Sequence, residues 1–423
     1  MPKAPERAEL TIESVGVRGD GIARLAGLKV FVPYTLPGER VEARIVGARP
    51  DGLAARVERW IAESPERVSP PCPQFGRCGG CALQHWSDEG YANWKVELLR
   101  TALRRQGLEA PIEPIRHTPP RARRRAGFVA RFGGRGVTLG FRERGSHRIV
   151  SVAECPVLRP SLERFALDAP PMLAGLDPPN AEWALDASLT ESGIDLLVTA
   201  AGAPSLAVRE GLAALAERLD LARVSWRTGE KAAPQPIAIR RAPLLRFAEV
   251  AVEPPPGAFF QASAEGEAAL IEEVLAMTQG ARRIADLYAG LGTFTLPLAQ
   301  SADAVLGVEG DEAALAALAA AARRGQLPVR TLARDLARDP LRAEELNAFD
   351  AVVLDPPRAG AKAQCSELAS SKVPAVAMVS CNPATFARDV RMLTQGGFRL
   401  ERVVPVDQFL WSPHLELAAL LRR

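Results

Sequence analysis

Of the six cysteines in the 423 residues, five stand where a thiol has a use. Cys72, Cys78 and Cys81 form a C-x5-C-x2-C pattern in "PPCPQFGRCGGCALQHW", among glycines that let a chain wrap a small centre, and Cys155 precedes a proline in "ECPV". Four thiolates can hold zinc or a four-iron cluster, and Cys-Pro is frequent among iron–sulfur ligands. The five-residue gap is wide for a zinc knuckle, His85 keeps a Cys/His zinc site open, and unliganded thiols are the third option. Cys365 has no such context. Cys381, in "MVSCNPATFARD", lies between an apolar run and an Asn-Pro turn, where it is a nucleophile, a ligand or a small buried hydrophobe. Four acids, Asp286, Glu309, Asp335 and Asp355, each close an apolar run, in "RIADLYAGLG", "AVLGVEGD", "VRTLARDL" and "FDAVVLDPPRAG".

A sheet must position these groups. From about residue 256 strand runs alternate with helical patterns, which predicts a parallel sheet covered on both faces. The tail "FRLERVVPVDQFLWSPHLELAALLRR" reads as two strands with a short connection, which pair antiparallel. Five parallel strands and a final hairpin are the plan of a class I, Rossmann-like methyltransferase. In such sheets the ligand lies beyond the carboxyl ends of the strands at the switch point. Gly290 and Gly292 let the backbone approach it there, although "DLYAGLG" is not the dinucleotide GxGxxG. Glu309 ends the next strand 23 residues after Asp286, close to the ~20-residue offset at which an acid meets ribose hydroxyls in related folds. Asp335 ends the third strand, within reach of an adenine amino group, and Asp355 ends the fourth. Each acid alone is a solvated loop residue or helix cap. Together, at successive strand ends, they point to S-adenosylmethionine.

Upstream, residues 8–62 read as short β runs split by "RGDG" and "RPDG", a small antiparallel barrel of the oligonucleotide-binding kind. "YANWKVELLRTALRRQGL" has helical spacing and ends at a glycine. Residues 126–253 mix strands ("DLLVTA", "PIAIRR") with a helix ("SLAVREGLAALAERL"). The proline clusters "APPMLAGLDPPN" and "VEPPPGAFF" punctuate this region, the second marking a boundary near residue 255. The fold class is therefore α/β multidomain: a methyltransferase domain, an OB-like barrel and a central α+β domain.

A thiol beside a methyl donor suits one reaction well. Carbon 5 of uracil is a poor nucleophile until a thiolate adds to C6 and makes the ring an enolate. After methylation a base must remove the C5 proton so that the thiol can leave. Glu416 starts the last strand, and because that strand runs antiparallel it lies at the sheet edge that carries Cys381.

With these residues in place, the chain resembles the bacterial RNA uracil-C5 methyltransferases that make 5-methyluridine. "CPQFGRCGGCALQH", "GFRERGSHRIVSVAECPVL", "FFQAS", "DLYAGLGTF", "GVEG", "LDPPRAG", "SCNPATFARD" and "HLE" occur in that family's order over nearly the whole chain. The resemblance implies that Cys72, Cys78, Cys81 and Cys155 bind a [4Fe-4S] cluster and that Gln261, Tyr288, Thr293, Glu309, Asp335 and Asp355 contact S-adenosylmethionine. It implies that Cys381 is the nucleophile and Glu416 the base. The barrel, 8–64, resembles the TRAM RNA-binding domain of ribosomal RNA members. A central iron–sulfur and RNA-binding domain then takes 65–86 and 117–255, and the methyltransferase domain takes 87–116 and 256–423. Ser263 stands where the family often has Asn, and Ala289 where it often has Cys.

Charge agrees with an RNA partner. Residues 1–160 carry 27 Lys and Arg against 17 Asp and Glu, and the remainder 26 against 33. The sharpest run is "RARRRAGFVARFGGRG", in which Arg121, Arg123, Arg124, Arg125, Arg131 and Arg135 suit phosphate and can stack on bases. No apolar stretch reaches the ~20 residues of a membrane helix, and "MPKAPERAEL" lacks a signal-peptide core. The expected setting is the cytoplasm, with 23S ribosomal RNA as substrate, no membrane and no obligate protein partner. The rivals are a transfer RNA uracil-C5 enzyme, an exocyclic-amino methyltransferase using "DPPR", and a non-catalytic RNA-binding protein with the cluster as a clip.

Overall fold

A computed structural model describes residues 6–423 other than 135, 177, 179 and 180. The chain packs as two compact units. One takes in residues up to 98 with 142–148 and 410–413; the other takes in 99–141, 149–409 and 414–423.

The first unit contains a six-stranded sheet in the order Arg7–Thr11, Arg40–Arg49, Gly52–Ala62, Leu28–Pro33, Asp20–Leu25, Ser14–Val15. Alternation in "LKVFVP" sends Val30 and Val32 to one face, where they meet Leu10, Ile12, Val41 and Ala43. The sheet is not wholly antiparallel as expected. Leu28–Pro33 pairs in parallel with Gly52–Ala62, through Val30 with Leu53 and Phe31 with Ala54.

In the second unit a seven-stranded sheet runs in the order Ile149–Ser151, Gly136–Arg142, Arg125–Gly133, Glu182–Thr190, Gly193–Ala200, Arg223–Thr228, Gln235–Ile239. Helices Pro160–Leu173 and Leu206–Arg218 share its core with Phe128, Trp183 and Trp226. The first helix corrects the reading of "APPMLAGLDPPN" as punctuation, because Pro170 and Pro171 lie inside its last turn. The face Leu162, Phe165, Ala166, Ala169 and Leu173 is buried at helical spacing, and that burial outweighs two missing N–H donors at the helix end.

The larger sheet of this unit carries β1 (Arg283–Leu287), β2 (Ala304–Glu309), β3 (Val329–Ala333), β4 (Ala351–Leu354), β5 (Ala375–Ser380), β6 (Arg399–Asp407) and β7 (Glu416–Arg422). Their spatial order is 3-2-1-4-5-7-6, and Arg116–His117 adds a short edge beside β6 that the sequence reading missed. β1 to β5 are parallel; β7 is antiparallel to both neighbours. "AVVL" of β4 is buried throughout, as a strand covered on both faces must be. The chain reverses its direction of winding between β1 and β4, which makes their carboxyl ends the switch point. Among the described residues no helix is long and apolar enough to cross a membrane.

Candidate active site

Cys381 follows β5 directly and is partly buried. The turn after it is built by its neighbours: Asn382 Oδ1 accepts from Ala384 N at 3.0 Å and caps helix Pro383–Gln395, whose first position is a proline with no N–H to waste. Asn382 Nδ2 and Thr385 Oγ1 both donate to the Arg358 carbonyl at 3.2 Å, tying the "DPPR" loop after β4 to the cysteine turn. Across the sheet Ser380 pairs with Leu417, so the next position in each strand sets Cys381 beside Glu416.

Glu416 is buried, with 3% of its surface exposed. Gln408 Nε2 donates to its Oε2 at 3.0 Å and to Gln261 Oε1 at 2.6 Å. Burial pushes the Glu416 carboxyl up to about 7 against the restraint of Gln408 and Arg358. Burial, then the charges of Glu416 and Asp355, push the Cys381 thiol up to about 11, and Arg358 acts the other way. Gln408 is not marked in the sequence, and Arg358 stands there only as the last residue of "DPPR". "DQF" gives no local sign that its amide meets residues 147 positions away.

The acids converge as well. Asp286 ends its run on β1 with no exposed surface; Thr295 Oγ1 donates to its Oδ2 at 2.5 Å, while Oδ1 has no partner. Burial raises it to about 7. Asp355, half-buried after β4, is held well above the usual carboxylate range by burial and by Glu416, Asp286 and Glu309. Glu309 Oε2 accepts from Gly290 N at 2.9 Å, and its Oε1 accepts from Gly310 N and Asp311 N, so it fixes the glycine turn. Tyr288, Gly290 and Gly292 all have positive φ, and a Cβ on Gly292 would fall 2.4 Å from Leu318 Cδ1. Thr293 is half-buried in the same turn. Asp335 lies two residues past the end of β3 rather than on it, exposed, with Oδ1 accepting from Ala337 N at 3.1 Å. Ser263 is explained by its own helix: its Oγ accepts from Gly266 N at 3.0 Å as the cap of Ala264–Met277. Buried and half-buried carboxyls that repel one another around a glycine turn, one with an orphaned oxygen, suit a ligand that carries positive charge.

The cysteine loop is a different case. Cys72, Cys78 and Cys81 lie in the first unit and Cys155 in the second, all partly buried. Among the described residues no group of three or more His, Cys, Asp or Glu that could hold a metal ion is found. The loop is organised by other bonds: Cys78 N to the Gln74 carbonyl, Cys72 N to Gln84 Oε1, Gly79 N to the Arg142 carbonyl. His85 is buried beside the rings of Tyr34 and Phe75 with both nitrogens unpartnered, and burial drives it down to about 3.

The arginine run is largely engaged by acids and carbonyls of the protein itself. Arg121 pairs with Glu163 at 3.0 Å, Arg131 with Glu182 at 2.9 Å, and the nearly buried Arg124 with Glu267 at 2.6 Å. Arg125 donates to the Phe260 carbonyl at 2.7 Å and stacks 4.9 Å from the ring centres of both Phe259 and Phe260. Arg123 donates to the Arg125 carbonyl, and Arg135 lies outside the described residues.

Comparison with known proteins agrees with this architecture. Residues 246–423 match the family described as tRNA (Uracil-5-)-methyltransferase and residues 6–57 match the TRAM domain. A protein of Caulobacter vibrioides named as an uncharacterized RNA methyltransferase is 46% identical, covering 98% of this chain and 100% of its own length. A 23S rRNA (uracil(1939)-C(5))-methyltransferase of Chromohalobacter salexigens is 37% identical, covering 98% and 89%. In fold, the chain is similar to a tRNA (uracil-54, C5)-methyltransferase of Pyrococcus abyssi, solved with S-adenosyl-L-homocysteine, at a TM-score of 0.73 and 24% identity over 98% of this chain and 99% of that one.

Proposed function

The chain belongs to the RNA uracil-C5 methyltransferase family, and from that premise we propose that it methylates C5 of one uridine in 23S ribosomal RNA with S-adenosylmethionine, in the cytoplasm. The observation that carries the reading is the β5–β7 register, which seats a thiol beside a buried carboxyl at the switch-point edge. The residues that would hold the cofactor are Gln261, Tyr288, Thr293, Glu309, Asp335 and Asp355, and the half-buried Glu309 and Asp355 suit its positive charge. When bound, S-adenosylmethionine supplies a methyl group on a sulfonium and leaves as S-adenosylhomocysteine.

Cys381, as thiolate, forms a C–S bond at C6 and pushes the ring electrons toward O4, which makes C5 nucleophilic. After methylation Glu416 takes the C5 proton, the electron pair restores the C5–C6 double bond, and the C6–S bond breaks to return the thiolate. The site reaches C5 only if the uridine is turned out of its stack. Residues 8–64 would grip the RNA, 65–86 with 117–255 would form the central domain, and 87–116 with 256–423 would form the methyltransferase domain. The four cysteines would hold a [4Fe-4S] cluster on the strength of their spacing and the family resemblance. No step of the reaction runs through it, and iron and acid-labile sulfide in anaerobically purified protein decide it.

RNA carrying 5-fluorouridine tests the chemistry, because fluorine at C5 cannot leave as a proton and the covalent adduct accumulates. No adduct with the unaltered protein, or an unchanged adduct with Cys381→Ala, sinks the mechanism. Mapping 5-methyluridine in a deletion strain tests the substrate: the mark should vanish from 23S RNA and persist in transfer RNA.

A further inference from the structure

Every polar atom of the Gln408 side chain is committed. Its Oε1 accepts from Ala262 N at 3.0 Å, and its Nε2 donates to Gln261 Oε1 at 2.6 Å and to Glu416 Oε2 at 3.0 Å. A backbone N–H can only donate, so Ala262 decides which end of the amide is which and turns the NH2 end toward the acid. The side chain is also confined. Gln408 is 3% exposed, and a Cβ built on Gly266, in the first turn of helix Ala264–Met277, would fall 2.6 Å from its Cβ. A glycine at 266 is what lets the helix press this close.

We propose that Gln408 is a positioning residue for removal of the C5 proton, holding Glu416 by Oε2 so that Oε1 receives the proton. This rests on the reading of Glu416 as the base. An amide suits the task because it donates without bringing charge. A hydrogen bond to the carboxylate favours the ionised form in a buried place, whereas a lysine or arginine there would leave a weaker base. The other groups facing Glu416 are Asp355 beyond β4, Cys381 beyond β5 and Arg358 in the loop, with His414 two residues before it in its own segment. Gln408 alone among these neighbours is uncharged at every pH, so its contribution does not titrate with theirs. Its second bond makes the carboxyl and Gln261 one connected unit, from β7 to the start of helix Ala264–Met277.

Two variants separate positioning from folding. Gln408→Leu removes the donor; Gln408→Glu keeps the shape and the acceptor for Ala262 but faces Glu416 with a second carboxyl. Both should form the adduct on 5-fluorouridine RNA at a rate within about threefold of the unaltered enzyme, while turnover of uridine RNA falls roughly tenfold to a hundredfold. The acid limb of the turnover–pH profile should move to higher pH, further for Gln408→Glu, since two carboxyls in contact share one proton. Adduct formation and turnover falling together, or an unmoved acid limb, overturns the proposal. Should the leucine variant fold poorly, the glutamate variant carries the same test. No adduct with the unaltered enzyme overturns the uracil-C5 reading itself, an outcome distinct from failure of Gln408.

Discussion

The edge of the larger sheet and the cysteine loop both collect reactive side chains, by opposite means. At the sheet edge, register sets Cys381 beside Glu416, the Asn382 cap orders the turn after the cysteine, and the Gln408 side chain holds the carboxyl. In the cysteine loop the thiols are present on the chain, but no metal-holding group is gathered among the described residues. A nucleophile and its base can be positioned by strand pairing. Where thiols from distant segments do share an ion, its binding adds to the stability of the fold.

Removing the proposed nucleophile is the sharpest way to break the contrast. Cys381→Ala should cut methyl transfer at least ~10⁴-fold and abolish the fluorouridine adduct, read by gel shift under denaturing conditions. Glu416→Gln should keep the adduct and slow product release by about 10²- to 10⁴-fold; release at the unaltered rate assigns proton abstraction elsewhere. Arg124→Ala tests whether the arginine run is structural: breaking its pair with Glu267 should cost about 3 kcal/mol in denaturant melts and leave the salt dependence of RNA binding nearly unchanged. A shallower salt slope with unaltered stability restores the phosphate-face reading.

The acids give a subtler signature. Burial raises both Asp286 and Glu416 to about 7, above their ordinary values, so the folded chain keeps protons that the unfolded chain releases. Stability from this source is full below about pH 4, falls as pH rises to about 7 and then levels. Asp286→Asn should flatten that fall in melts at pH 5 and pH 8. The smallest effect belongs to the loop: stripping iron from anaerobically purified protein should lower the melting temperature by a few degrees and leave adduct formation within about threefold. An unchanged melt removes the cluster as a stabiliser.

The sheet was legible because most of its strands are apolar runs with an acid at or just past the carboxyl end, and the direction of the last strand alone brought Glu416 to Cys381. What escaped reading depends on distant partners. The arginines looked free because Glu163, Glu182 and Glu267 stand 42, 51 and 143 residues from the residues they pair with. Helix Pro160–Leu173 was hidden by its two prolines, and Gln408 by bonds to another segment.

The pairing of β7 with β5 and β6 sets a rule for which changes this lineage can accept. Slipping β7 by one residue would turn Glu416 to the opposite face and offer the thiol Leu417 instead; slipping it by two would keep the face and carry the carboxyl roughly 7 Å away. β6 accommodates its extra residue at a bulge between Leu400 and Arg402, far from the reacting end. Insertions near that bulge are therefore survivable, whereas one in the connection after Asp407 would shift Gln408 against Glu416, and on the roles proposed for Cys381 and Glu416 a single insertion within β7 disarms the enzyme with its fold intact.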